Sequence, residues 1–252
     1  MWQNKLKDTL TFCLGIVLIG VVVQAAGALK GDALVFPGVD EILKAFLRLM
    51  GEGKTYALIW TTLQHLIAAT AVSTVLGIAL GLMQGMNRFI RKLLSPLMIM
   101  LRSLPMVILI VIIMVVADYA HVPVLASSIV LVPMIAEAAC EGCVRIDKEF
   151  IDVYRMNANF NVRVLFQVYL PLMAGYLRQA WVNAAGMGVK LAVSTEYLVQ
   201  TKNSLGKAVH TSGYFNEYQD IYAYALVMIL LVLVVSEGPG MIGKLAARMR
   251  KK

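Results

Sequence analysis

Charge is what this 252-residue sequence has least of. Asp, Glu, Lys and Arg make up only 15% of it, where a soluble domain carries about a quarter. Hydrophobic residues make up 60% and the mean hydropathy is +0.75, so a water-soluble fold is excluded and a polytopic membrane protein is implied. The short alternating segments of a transmembrane barrel are missing too. Backbone groups in lipid must be satisfied within their own segment, so the spans are expected to be helices and the chain all-α. Cysteine is scarce: Cys13, Cys140 and Cys143 make no disulfide framework. Cys140-x-x-Cys143 has the spacing of a metal or redox pair, but no second pair and no nearby His accompany it, and both read as reduced structural thiols.

Other chemistry is missing as well. Gly51-Glu52-Gly53-Lys54-Thr55 resembles half of a phosphate-binding loop, but the full pattern needs Gly where Arg48 stands and a strand before it. It reads as a solvated turn. Intramembrane Ser–His, His-Glu-x-x-His and paired-acid arrangements are not found, which argues against a membrane-embedded enzyme. No catalytic residue, cofactor or metal is expected. The net charge of +8 collects at the ends of apolar runs, so it reports topology and not nucleic-acid binding.

What is present is a series of apolar runs. Lys5 and Lys7 precede the first, at 10–29, which has about the 20 residues a bilayer crossing needs. It is read as a retained span although Ala26-Gly27-Ala28 imitates a signal-peptide cleavage site. Residues 30–55 follow outside the membrane. Pro37-Gly38 breaks the chain there, Asp40 is placed to cap a helix, and Val39, Ile42, Leu43, Phe46, Leu47 and Met50 share one face, as in an interfacial helix. Further spans are expected at about 56–83, 93–116, 123–139, 172–193 and 221–243. The chain thus divides into a first span with an outer helix at 1–55, a core of five spans at 56–243 and a basic tail at 244–252.

Several residues within these spans stand out. Gly77, Gly81 and Gly85 recur every four residues and permit close helix approach, as does the thin section of Ala184, Ala185, Gly186 and Gly188. His65 reads as a buried histidine satisfied by a neighbouring helix. Pro105 removes a backbone donor and should kink its span. Glu137 is expected to snorkel toward the cytoplasm or to pair with Arg145. An ionisable residue inside a membrane segment is by default a candidate for function, which singles out Lys190 and Glu196. Lys190 and Ser194 share a helix face one turn apart, whereas Glu196 lies off it. Lining a route and pairing between helices both remain open for Lys190 and Glu196.

Charge bias supplies an independent test. With six spans and both termini inside, the inner segments hold Lys5 and Lys7, then Arg88, Arg91 and Lys92, then Arg145, Lys148, Arg155 and Arg163, then the tail. The outer loop at 30–54 balances four cations with four acids, the turn at 118–122 has no Lys or Arg, and the loop at 201–218 has two. This matches the positive-inside rule and puts 152–171 on the cytoplasmic face.

That segment, IDVYRMNANFNVRVLFQVYLPLM at 151–173, is a polar island in an apolar chain. Val153, Met156, Phe160, Val164 and Val168 recur at helical spacing until Leu170-Pro171 stops the pattern. It resembles the cytoplasmic loop E-A-A-x3-G-x9-I-x-L-P of ABC importer permease subunits. Leu170-Pro171 stand at the end, Val168 at I, Ala158 at G, and Asp152-Val153-Tyr154 at E-A-A; the acid and the Leu-Pro are kept in kind. Arg102-Ser103-Leu104-Pro105 is similar to the L-R-P-I-P pattern of the nitrate, sulfonate and taurine branch. Residues 188–197 resemble its A-W-x-x-V-V-A-A-E-M, with Glu196 matching and Val189 standing for Trp. Ser204-Leu205-Gly206 is similar to the S-G-L-G that follows.

The resemblance implies a type I ABC importer permease of six transmembrane helices in a bacterial inner membrane. It implies a homodimer, two separate ATPase subunits and an extracytoplasmic substrate-binding protein. Within the coupling loop at 142–171, it assigns ATPase docking to Asp152, Val153, Tyr154, Arg155, Met156, Asn157, Ala158, Phe160, Arg163, Leu170 and Pro171, the helix acting as a lever. It places Pro105, Lys190, Ser194, Thr195 and Glu196 along the translocation pathway. Lys190 suggests an anionic cargo such as a sulfonate or nitrate; pyrimidine-type vitamin precursors stay open. The alternative is a stand-alone six-helix transporter or channel, although no internal repeat of the kind many carriers show is evident.

Overall fold

The structure, a computed structural model, describes Gly15 and residues 35–147, 149–150, 152, 156 and 161–249. The apolar run at 10–29 and most of 151–160 lie outside the described residues. Among the described residues, eight helices of ten or more residues follow in order: α1 (Val39–Gly51), α2 (Gly53–Met86), α3 (Arg88–Ser103), α4 (Met106–Val116), α5 (Val122–Val144), α6 (Leu170–Val199), α7 (Leu205–Tyr214) and α8 (Tyr218–Met249). No strand occurs among the described residues. The expectation of an all-helical membrane protein holds. Gly53–Met86, Val122–Val144 and Tyr218–Ser236 are each long and apolar enough to cross a membrane.

The 30-residue α6 is not among these three. Arg178, Lys190 and Glu196 lower its hydropathy. Where the sequence suggested one kinked span at 93–116, α3 and α4 form two helices bent by 101° at Leu104-Pro105. Pro105 lacks the N–H that would continue the ladder, and the residue before a proline is driven to extended backbone. Leu104 has adopted that backbone, at φ −66° and ψ 127°.

The α2–α5 pair is the spine of the fold, and glycine makes it close. A Cβ on Gly77 would lie 2.8 Å from Ile135 Cβ, one on Gly81 2.4 Å from the Ala136 carbonyl oxygen, and one on Gly85 2.5 Å from Cys143 Cβ. The four-residue glycine repeat is therefore the contact surface, and the two cysteines are buried in or beside it. Two serines stitch the same seam: Ser73 Oγ donates to the Ser128 carbonyl at 3.3 Å and Ser128 Oγ to the Ala69 carbonyl at 3.4 Å. α6 packs alongside, its thin section admitting Leu66 and Leu131. A Cβ on Gly188 would stand 2.5 Å from Leu66 Cδ1.

At its start, α6 departs from the sequence expectation. Asn161 Oδ1 accepts the Val164 N–H at 2.9 Å and opens a turn at Val162–Val164. The chain continues through a π-helical turn, Leu165–Tyr169, directly into α6. Leu170-Pro171 therefore does not stop the helix. Proline removes one bond from the ladder and crowds the carbonyl four residues back; the wider turn just before it changes the register there, so the helix passes through. Val164, Tyr169, Met173 and Leu177 then pack on Leu82, Ala139 and Cys143.

Two smaller expectations are corrected. Asp40 does not cap α1: Gly38 is the cap residue, its N–H donating to Glu41 Oε2 at 3.3 Å, while Asp40 sits in the first turn and meets Lys44 at 3.4 Å. The apolar face of α1 is divided. Phe46 and Met50 pack, beside the buried Ala45 and Leu49, on a cluster that includes Val227 and Leu231 of α8, whereas Val39, Leu43 and Leu47 are exposed. Arg48 pairs with Asp220 across the same contact.

Candidate functional site

The polar centre of the described structure is Glu196, near the C-terminal end of α6. It is fully buried, and so is its neighbour Thr195, whose hydroxyl donates to the Leu191 carbonyl at 2.8 Å. Glu196 is there because α2 and α7 bring donors to it. Thr62 Oγ1 donates to Oε2 at 2.8 Å, and the Gly206 N–H donates to the same oxygen at 3.2 Å. His65 Nδ1 lies 2.7 Å from Oε1. A carboxylate only accepts, so His65 presents the protonated Nδ1. Thr62 and His65 stand three apart and share one face of α2.

The same residues close the N-terminus of α7. Thr62 Oγ1 accepts the Leu205 N–H at 3.1 Å, Ser204 Oγ accepts the Lys207 N–H at 3.3 Å, and the Ser204 carbonyl accepts the Ala208 N–H at 3.1 Å. With Gly206 on Glu196, the N–H groups of Leu205, Gly206 and Lys207, which a helix start leaves open, are all satisfied, two of them by other helices. The N-terminal end of α7, the positive end of its dipole, lies against the carboxylate. Entry to this arrangement uses left-handed backbone at Gln200 (φ 56°) and Asn203 (φ 54°).

Of the residues expected along a pathway, Thr195 and Glu196 therefore face inward among helices. Lys190 and Ser194 lie on the exposed side of α6, where Asn183 and Gln179, hydrogen-bonded to each other at 3.2 Å, continue the same row toward the N-terminus. Among the described residues Lys190 has no ionic partner. Pro105 is exposed at the α3–α4 break, and the adjoining Met106 packs into a cluster with Ala184 and Leu191 of α6. Glu137 pairs with Arg102 near that break and not with Arg145, whose guanidinium lies 6.0 Å from the Tyr176 ring centroid. The α5 helix runs on to Val144, past the expected end of the span at 139, and turns Glu137 toward α3.

Of the coupling residues, Asp152 and Met156 are helical and exposed, Arg163 is exposed, Leu170 is half-buried and Pro171 exposed. Val153, Tyr154, Arg155, Asn157, Ala158 and Phe160 lie outside the described residues. The expectation that His65 is satisfied by a neighbouring helix holds; that its partner is Glu196, and that Thr62 and the Gly206 N–H join it, is what sequence reasoning missed. The available signal was Thr62 and His65 at helical spacing in an otherwise apolar span.

Comparison with known proteins supplies the family. No curated protein sequence matches the chain. A solved structure described as inward-facing conformations of the MetNI methionine ABC transporter is similar in fold, with a TM-score of 0.64 at 17% sequence identity over 73% of this chain and 92% of that one. The bent, glycine-packed helical arrangement is thus that of a type I ABC importer permease. Residues 73–237 match the family model for the binding-protein-dependent transport system inner membrane component. That match takes in the glycine seam, the Pro105 break, the polar loop and Glu196, and the chain belongs to this family of ABC importer permease subunits.

Proposed function

We propose that the chain forms the translocation pathway of an importer for a small anionic solute, such as a sulfonate or nitrate, across a bacterial inner membrane. The observation that carries this reading is the exposed polar row on α6. An unpaired Lys facing lipid at mid-membrane costs about 2.5–3.5 kcal/mol on insertion scales. Gln179, Asn183, Lys190 and Ser194 on one side of one helix are therefore best explained by an aqueous surface. Lys190 supplies an attractive charge there, and Ser194 a hydroxyl one turn on. Pro105, beside the same helix, sets the break that opens room for a route. Thr195 and Glu196 support the row from behind.

In this reading a second copy of the chain closes the route, and an extracytoplasmic binding protein delivers the solute. Two ATPase subunits receive the segment 152–171. Tyr154, Met156 and Phe160 give apolar grip, and Arg155 and Arg163 pair with acids. Nucleotide-driven closure of the ATPases biases the dimer between two states.

The test is reconstitution in liposomes with the ATPase and the binding protein. Uptake of radiolabelled sulfonate or nitrate should require ATP and be lost in Lys190→Met, which should still co-purify with the ATPase. Tyr154→Asp with Phe160→Asp should abolish co-purification, because two carboxylates would enter an apolar cleft. Uptake without ATP by the chain alone would replace this reading with that of a stand-alone carrier.

A further inference from the structure

A second polar feature lies away from α6. Between α2, α3 and α5 is a cavity of ≈ 480 Å³, lined by Gln84, Arg91, Arg102, Glu137, Glu141 and Arg145 among others. Its volume is within the range of about 300–1,000 Å³ common for small-ligand sites. Arg102 and Glu137 neutralise each other as an ion pair. What remains is Arg91 and Arg145 against Glu141, a surplus of one positive charge.

Two details show that this surplus is presented to the cavity. Arg91 is anchored by Nε, which donates to the Gln84 carbonyl at 3.2 Å. Among the described residues its terminal nitrogens meet no oxygen, and the Cys140 thiol lies beside them. Gln84 is only 7% exposed, yet its Nε2 has no hydrogen-bond partner. Buried donors are nearly always satisfied, by protein, water or ligand. Gln84 lines the positively charged cavity, and a rotation of its amide would turn this buried donor to an oxyanion held there.

The neighbouring surface narrows the ligand. α3 turns Phe89, Leu93, Leu97 and Met100 outward, an exposed apolar stripe on the helix whose other side lines the cavity. Ile99 and Val144, both apolar and exposed, line the cavity itself, so a ligand held at Arg91 and Arg145 has an apolar rim next to it. Glu141 disfavours a second negative charge, so a singly charged phosphate group suits the site better than a doubly charged one. We propose that this cavity binds a monoanionic phosphate group, contacted by Arg91, Arg145 and Gln84 Nε2, with a membrane phospholipid headgroup and free dihydrogen phosphate as the two sources of that chemistry. The site is independent of the solute transported.

The experiment is native mass spectrometry of the full chain in detergent, titrated with dihexanoylphosphatidylglycerol and then with inorganic phosphate as competitor. The wild type should take up one saturable lipid. Affinity should fall at least tenfold in Arg145→Gln and in Gln84→Leu and stay within twofold in Lys92→Gln, an exposed cation next to Arg91. Gln84→Leu removes a donor that no protein group satisfies, so it keeps the fold while deleting the contact. Displacement by inorganic phosphate assigns the site to the free ion, and persistence of the lipid adduct assigns it to the headgroup. Equal binding in wild type, Arg145→Gln and Gln84→Leu, or no saturable binding of either probe, overturns the proposal.

Discussion

Gly206 and Glu196 touch so closely that a Cβ on the glycine would stand 2.5 Å from the glutamate Cβ, while the Gly206 N–H donates to Glu196 Oε2 at 3.2 Å. Both facts come from one geometry: the start of α7 is set end-on against the last turns of α6. Space, not backbone conformation, demands glycine, since the added Cβ would also lie 2.5 Å from the Tyr197 nitrogen and the Val193 carbonyl oxygen. We predict that Gly206→Ala loses at least the roughly 1–3 kcal/mol of an overpacked core. At about 2–4 °C per kcal/mol for a chain of this size, thermal unfolding in detergent should show a drop of several degrees. An unchanged midpoint would mean that α7 does not dock on Glu196.

Glu196→Gln and Glu196→Ala should separate hydrogen bonding from charge. Glutamine keeps an acceptor for Thr62 and Gly206, and its amide N–H₂ can donate to a neutral His65 whose Nδ1 has become the acceptor. Alanine leaves the donors of Thr62, Gly206 and His65 unpaired, a loss of about 1–3 kcal/mol for each buried one. The expected order of thermal midpoints is wild type, then Gln slightly below, then Ala well below. If Gln falls as far as Ala, the negative charge itself holds the site.

At the α2–α5 seam, Gly81→Val should be among the most damaging single changes. The new side chain meets the Ala136 carbonyl oxygen and Ala139 Cβ, backbone and a methyl stub that cannot rotate away. Gly53→Ala is the matched control, with nothing within 4 Å of the added carbon. A large loss of folded yield on size-exclusion chromatography is expected for the first and none for the second. Comparable yields would show that the helices do not approach this closely.

The Arg102–Glu137 pair should behave differently. Its side chains are 43% and 52% exposed, and exposed pairs contribute about 0–1 kcal/mol. Arg102→Gln should therefore shift the thermal midpoint by no more than about 2–4 °C. Adding Glu137→Gln should change it little further, as a double-mutant cycle would read.

The fold was legible where one rule acted alone. Hydropathy placed the long spans, and four-residue glycine spacing marked the seam that α2 and α5 share. The site was legible only in part. Lys190 and Ser194 declared a shared face because helical spacing is local, and they do lie on one exposed side. Glu196 was visible as an oddity, but its partners come from positions more than 130 residues earlier on α2 and from a backbone N–H, which carries no residue signature. Glu137 was matched to Arg145, eight positions on, when the bend at Pro105 instead supplies Arg102. Pro171 was read as a stop because a π-turn, which has no sequence rule of comparable strength, accommodates it.

That uninterrupted passage through Pro171 has a mechanical consequence. From Val162 to Val199 the backbone is helical without a break, a path of about 57 Å at 1.5 Å per residue, with the polar loop at one end and Glu196 at the other. A rigid rod of that length converts each degree of tilt at its base into about 1 Å of travel at its tip. Had the chain broken at proline, the same tilt would have been absorbed in the hinge. The wide turn at its root therefore decides whether small rotations at the N-terminal end of this helix are felt at Glu196.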